Sequence, residues 1–393
     1  MRLEGPDPGG IGGHARTYSF LLVRVDTDAG LHGIGEALDF PGVREVLTDA
    51  GTWLTGRDPL RIGPIVRGVL YGALPASGSL PAQSIMSATA TVAGPPAWAA
   101  AGLEIALWDL AGKALGAPVH QLLGGAFRDR VRVYLDRSGV AQVADLDAWA
   151  ALGERAVAEG FDWLKLDLEQ IAPDLTPDPW SRQIGTAQLA AIVKRVAAVR
   201  DAIGPAVDLG LDGHMSHDVE SAIRVGNALG ELGLRWYEDP VPITSVTSLA
   251  AVRNAQPIPV AAGETFTAEQ FRAFFEGEAL DIAHPDVLFV GGLGEARRAA
   301  SLADLWNAPV AFHDNGAAVA TIATAHVAAS IPNLLGMEYH FYDATWAGAM
   351  ATRDVPLFRD GAVPLTDAPG LGLELDAAVC RTHLAPGESW FGD

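Results

Sequence analysis

Three short apolar runs, each closed by a carboxylate, recur at one interval. "VDLGLD" ends at Asp212, "LRWYE" at Glu238 and "IPVAAGE" at Glu264, so successive acids lie 26 residues apart. Between the first two runs, Val219, Ala222, Ile223, Gly226, Leu229 and Leu232 share one face at helical spacing. The pattern reads strand, helix, strand, helix, strand. It continues through Asp286 ("LDIAHPD"), His313 ("APVAFH") and Glu338 ("LLGME"), at steps of 22, 27 and 25 residues. A repeat of that size holds one strand and one covering helix of a parallel α/β barrel. Reactive groups of such barrels gather at the strand C-termini, which places these six polar side chains around one mouth.

A single acid after a strand is ordinarily a helix cap or a turn residue. Three in register are another matter, because converging carboxylates repel and burial raises their pKa. A divalent cation removes that cost, and all-oxygen ligation suits a hard ion, Mg²⁺ rather than Zn²⁺. Asp212, Glu238 and Glu264 are therefore the candidate metal ligands.

These pieces resemble the enolase superfamily, in the branch of mandelate racemase and the acid-sugar dehydratases. The resemblance is carried by "LDGH" (Asp212), "YEDP" (Glu238), "AAGE" (Glu264), "HPDVLFVGGL" (Asp286) and "VAFHDNG" (His313), and by "AGLEIALWDLAGKALGAPVHQLLGG" at 101–125. It implies an α/β fold: a modified (β/α)7β TIM-type barrel with an α+β capping domain. Residues 1–125 would form the N-terminal part of the cap, 126–345 the catalytic barrel, and 346–393 a segment returning to the cap. It also implies Mg²⁺, the Asp286–His313 pair as a proton-handling group, Glu338 against the substrate carboxylate or its enediolate, and a homo-oligomer, dimer or octamer.

Along the chain, the Gly- and Pro-rich start ("GPDPGGIGGH", within 1–16) reads as a loose terminus or a lid with Gly hinges. The first strand found in relatives looks absent or cut short. Residues 19–37 read as two strands joined at Asp28-Ala29-Gly30, and 42–123 as mainly helical, with Asp109 and Lys113 as a surface pair. "RVRVYLDRSG" (130–139) is the expected first barrel strand. In "FDWLKLDLE", Lys165 and Asp167 alternate with leucines and so share the inward face. A buried lysine is costly, which marks Lys165 as a site residue. Racemases of the branch carry Lys-x-Lys here; Asp167 stands at the second position, where it would lower the site's basicity or bind a substrate hydroxyl. The following insertion, "QIAPDLTPDPWSRQIGT", places Trp180 and Arg182 where they could reach a polyol acid. His214, two residues past Asp212, shares its face by alternation, and dehydratases of the superfamily place a proton-abstracting His at this offset. His284 shares the inward face of Asp286, with its role open.

Charge narrows the partners. The net charge of −21 argues against nucleic acid, which needs basic stripes. It also means that an anionic substrate needs local cations, Mg²⁺ and Lys165, at the site. No long apolar run suggests a membrane span. The N-terminus lacks an apolar signal region, and the one cysteine, Cys380, cannot pair within the chain, so a cytoplasmic location is expected.

The reading that follows is a Mg-dependent dehydratase of a sugar acid, an aldonate or aldarate, giving a 2-keto-3-deoxy acid. His214 is the base, His313 with Asp286 the acid, and Lys165 neutralises the substrate carboxylate. Glu338 and Asp167 bind substrate. The alternatives are a 2-hydroxyacid racemase or epimerase using Lys165 and His313, and a non-catalytic metal-binding or sensing protein on this scaffold.

Overall fold

The computed structural model describes residues 1–7, 16–71, 93–137, 140–175, 178, 180–340 and 344–391. Three antiparallel strands, β1 (Arg2–Asp7), β2 (Arg16–Asp26) and β3 (His32–Leu38), form the cap's sheet in the order β1-β2-β3. The first strand is thus present, against the sequence reading. Its alternating Arg2, Leu3, Glu4 bury Leu3 completely, while Gly5 gives room for Trp346. The proposed lid falls largely on residues 8–15, outside the described residues.

Eight parallel strands close the barrel: β4 (Arg130–Arg137), β5 (Trp163–Asp167), β6 (Asp208–Asp212), β7 (Trp236–Glu238), β8 (Val260–Ala262), β9 (Ile282–Ala283), β10 (Val310–Phe312) and β11 (Leu334–Tyr339). They pair in chain order, and β11 returns to β4 through Glu338↔Tyr134. Among the described residues, seven covering helices connect them, from Leu146–Ala158 to Ala318–Ala329, giving the expected (β/α)7β barrel.

Period-two alternation sorts each strand. In β5, Leu164 and Leu166 pack outward against helices, while Trp163, Lys165 and Asp167 point inward. The lower interior is an aromatic plug: Tyr134, Trp163 and Trp236 pack with ring centroids 4.8–5.2 Å apart. Gly336 is needed beside it, since a Cβ there would lie 2.5 Å from the Trp163 ring. One layer above, toward the strand C-termini, the inward side chains become ionisable.

The cap is fastened to the barrel by buried carboxylates. Glu36 of β3 accepts the backbone N–H groups of Ala317 (2.5 Å) and Ala320 (3.1 Å), at the start of helix Ala318–Ala329. Glu104 of the long helix Pro95–Leu115 accepts from Gly294 N–H at 3.1 Å in the same manner. Asp109, on that helix, is no surface residue: it is fully buried and accepts from Ile34 and Leu371 N–H as well as Lys113. The spacing of Asp109 and Lys113 guaranteed their contact but not their exposure; this alanine-rich helix packs directly on β3 and buries that face.

Burial, opposed by the backbone N–H groups, pushes Glu36 up to about 7. The folded chain therefore holds this proton more tightly than the unfolded chain does. Its contribution to stability is complete below about pH 4.5 and is lost as the pH rises through about 7. Glu36→Gln, measured by denaturant unfolding, should remove a slope of up to about 1.4 kcal/mol per pH unit across that window. A variant with the parent's pH dependence would show that Glu36 is ionised in the folded chain at no cost.

Candidate active site

The C-terminal ends of the barrel strands open on a cavity of about 450 Å³, covered by residues 17–20 of β2 and 36–40 from β3 onward. Lys165, almost completely buried, lines it. Its ammonium lies 3.1 Å from Asp212 Oδ2, 3.3 Å from Glu238 Oε1, 3.3 Å from Glu338 Oε1 and 4.0 Å from Asp136 Oδ1. Burial alone would lower its pKa, but Glu238, Glu338, Asp136 and Asp212 outweigh it and hold Lys165 protonated, well above the ordinary lysine range.

His214 follows β6 in the left-handed region (φ 43°), its N–H donating to Asp212 Oδ1 at 2.8 Å. Its ring is clamped, Nδ1 2.7 Å from Glu169 Oε1 and Nε2 3.3 Å from Asp212 Oδ2. Burial opposes its charge, yet Asp212 and Glu169 prevail and push the imidazole up to about 12. Asp167, two residues before Glu169, is driven up to about 8 by burial and then by Asp136.

Across the barrel, four strands away, His313 Nδ1 lies 2.6 Å from Asp286 Oδ2. Asp286 Oδ1 is itself held by Leu288 N–H at 2.6 Å, which fixes the carboxylate against the ring. His313 Nε2 faces Glu264 Oε2 at 3.3 Å and Glu338 Oε2 at 3.7 Å. Burial works against its charge, but Glu338, Glu264 and Asp286 keep it well above the usual histidine range. His284, whose role was open, is completely buried with Nε2 3.0 Å from Glu238 Oε1, so it orients that carboxylate from behind.

Glu264 reaches the cavity by a break in alternation. Ala261 faces the interior and Ala262 the helices, so strict parity would send Glu264 outward. Gly263, at φ 108°, reverses the direction, and a side chain there would also strike Phe271 at 2.6 Å. The three candidate metal ligands are then arranged unequally. Asp212 and Glu238 meet through Lys165, whereas Glu264 stands with His313. Among the described residues, the mutually close acid and imidazole trios are Asp136, Glu338, His340 and Asp167, Asp212, His214.

The donor chemistry nonetheless fits a hard divalent cation. The ligands are all oxygen, and negative charge is in excess around Lys165. Burial, and next Glu238, holds the Asp212 carboxyl well above the usual carboxylate range, despite Lys165 and His214 beside it. Asp239 Oδ1, next to Glu238, is buried without a hydrogen-bond donor. A cluster in this state is short of positive charge.

Sequence reasoning overlooked four groups. Asp136 lines the cavity at the end of β4, and its signature, an acid closing a strand, was the one used for Asp212. His340 stands two past Glu338, as His214 stands two past Asp212. Its Nδ1 lies 2.9 Å from Asp136 Oδ2 and its Nε2 3.0 Å from the hydroxyl of Tyr18 on β2. Tyr18 and Glu169 gave no signal, because one comes from the cap and the other from a short helix after β5. Trp180, a substrate-contact candidate, is 91% exposed, and neither it nor Arg182 lines the cavity.

Comparison with known proteins agrees along the whole chain. Residues 12–124 match the family described as mandelate racemase / muconate lactonizing enzyme, N-terminal domain, and 148–379 the enolase C-terminal domain-like family. The chain is 35% identical to a D-xylonate dehydratase of Haloferax volcanii, over 96% of this chain and 88% of that protein. It is 32% identical to a D-galactarolactone cycloisomerase of Agrobacterium fabrum, over 91% and 89%. A crystal structure of a mandelate racemase/muconate lactonizing enzyme-like protein from Rubrobacter xylanophilus superposes with a TM-score of 0.86 at 34% identity, covering 100% of this chain and 98% of the other. No helix among the described residues is long and apolar enough to cross a membrane.

Proposed function

Because the chain belongs to the enolase superfamily, as an enzyme of the mandelate racemase/acid-sugar dehydratase branch, we propose that it dehydrates a sugar acid to a 2-keto-3-deoxy acid. The observation that carries the reading is the pair of imidazoles lining one cavity from strands four apart, His214 and His313, with the Lys165 ammonium in the same cavity. The relatives named as D-xylonate, D-galactonate and D-gluconate dehydratases support the substrate class.

Asp212, Glu238 and Glu264 would hold Mg²⁺, which supplies Lewis-acid stabilisation of the charge that develops on the substrate carboxylate. Lys165 adds a fixed positive charge at the same end, and Glu338 contacts the carboxylate or enediolate. His214 takes the proton α to the carboxylate, which it does only as a neutral ring, with Asp212's charge taken up elsewhere. His313, charged and fixed by Asp286, gives a proton to the departing β-hydroxyl, whose C–O electrons leave with the oxygen as water. Asp167 then binds a substrate hydroxyl.

Racemisation would instead need Lys165 as a base, and Asp167 occupies the place of a second lysine, which favours dehydration. Incubation with Mg²⁺ and a panel of aldonates and aldarates in D₂O separates the readings. Release of a 2-keto acid is expected. Deuterium at the α-carbon without keto acid would replace the dehydratase by a racemase, and neither event across the panel would point to a non-catalytic protein.

A further inference from the structure

The aromatic floor of the barrel and the ionisable layer above it touch on one strand. Trp236 and Glu238, two apart on β7, both point inward, so ring and carboxylate are neighbours. A buried indole N–H needs an acceptor, and Trp236 Nε1 donates to Glu238 Oε2 at 3.2 Å, both side chains being buried. The other oxygen, Oε1, takes His284 Nε2 at 3.0 Å and the Lys165 ammonium at 3.3 Å. A carboxylate offers about four lone pairs. These three contacts leave it one, on the oxygen that the indole holds.

The indole is itself fixed. Its ring packs on Trp163 and Tyr134, with centroids 4.8 and 5.0 Å away. On the neighbouring strand β6, Gly210 pairs with Trp236 as Asp212 pairs with Glu238. A Cβ at Gly210 would lie 3.0 Å from the Trp236 ring and 3.1 Å from its Nε1. The glycine two residues before one candidate metal ligand thus makes room for the donor to the next. Trp163 is a built-in control. It belongs to the same floor and is as deeply buried, but its indole N–H has no hydrogen-bond partner among the described residues. A group that orients a ligating carboxylate tunes metal affinity, whereas one that only fills the floor does not.

Resting on the reading of Glu238 as a metal ligand above, we propose that Trp236 is a positioning residue of the metal centre, its indole N–H fixing Glu238 Oε2 toward a divalent cation while His284 and Lys165 hold Oε1. Calorimetric titration of the full chain with Mg²⁺ alone, without substrate, tests this. Trp236→Phe should weaken Mg²⁺ binding about 10- to 100-fold, the usual cost of losing a partner that orients a ligand. Trp163→Phe should keep an affinity near the parent's. The two substitutions remove the same volume from one floor, so their unfolding midpoints without Mg²⁺ should fall by similar amounts, and affinity alone separates them. Should Trp236→Phe fail to fold, Gly210→Ala takes its place: the new methyl displaces the indole but keeps its N–H, and Mg²⁺ affinity should fall in the same direction by less. An unchanged affinity in Gly210→Ala would then overturn the proposal. Equal losses in Trp236→Phe and Trp163→Phe would also overturn it, since packing of the floor would explain both. Affinity lost in Glu238→Gln but kept in Trp236→Phe would strike out Trp236 and leave the ligand reading standing. Affinity kept in both would remove Glu238 from the ligand set, and the role of Trp236 with it.

Discussion

Replacing His214 by asparagine should lower kcat about 10³-fold, within the range for loss of a general base, while calorimetric Mg²⁺ affinity stays near the parent's. The substitution is chosen for what it keeps. His214 sits at φ 43°, a region that asparagine tolerates better than most residues. Its backbone N–H bond to Asp212 Oδ1 survives, and an amide in place of the ring can still donate toward Glu169 Oε1, now 2.7 Å from Nδ1. What disappears is the titrating nitrogen 3.3 Å from Asp212. Exchange of the substrate α-proton with D₂O should fall in parallel with turnover, because the lost step precedes C–O cleavage. Were the His214→Asn enzyme to exchange that proton at the parent's rate, the base would have to be sought elsewhere in the cavity. A loss of Mg²⁺ affinity comparable to the loss of rate would instead assign His214 to the support of Asp212.

The barrel was legible because its repeat is a physical necessity. Each inward acid must end a strand, and each strand needs a helix before the next, so Asp212, Glu238 and the residues beyond keep nearly constant intervals. Alternation then placed Lys165 and Asp167 inward with no structural help. The same rule fails where a glycine reverses the chain, as Gly263 does before Glu264; there the sequence named the right residue but not how it reaches the cavity. Contacts between distant segments left no trace in the spacing. Tyr18 meets His340 across 322 residues, and Glu36 meets Ala317 across 281. Burial was equally invisible for Asp109, whose helical spacing to Lys113 is the same on a wet face as on a dry one. Asp136 is a different kind of miss, since the pattern applied to β6 and β7 was present at β4 and was not carried back.

Lys165→Met should destabilise the chain by about 3–5 kcal/mol, the usual cost of removing one partner from a buried ion pair, and should abolish turnover. The lysine is 1% exposed, and Asp212, Glu238 and Glu338 all lie within 3.3 Å of its ammonium. Methionine fills similar space, so a cavity contributes little and the effect is electrostatic. Its pH dependence has a definite sign. Burial works to raise Glu338, but Lys165 and His313 hold its carboxyl well below the ordinary value; Glu238, with His284 and Lys165 beside it, is likewise lowered. Groups with depressed folded-state pKa values stabilise above the unfolded pKa, about 4.3 for glutamate, and lose that contribution as the pH falls through the folded value. The deficit of the Met variant should accordingly be complete at neutral pH and shrink in acid. Mg²⁺ should also raise the unfolding midpoint of the variant more than that of the parent, since a cation would then be the main remaining source of positive charge among these carboxylates. Equal midpoints for variant and parent in the absence of Mg²⁺ would mean that the cluster is not held together by Lys165, and with it would go the role of this ammonium in receiving the substrate carboxylate.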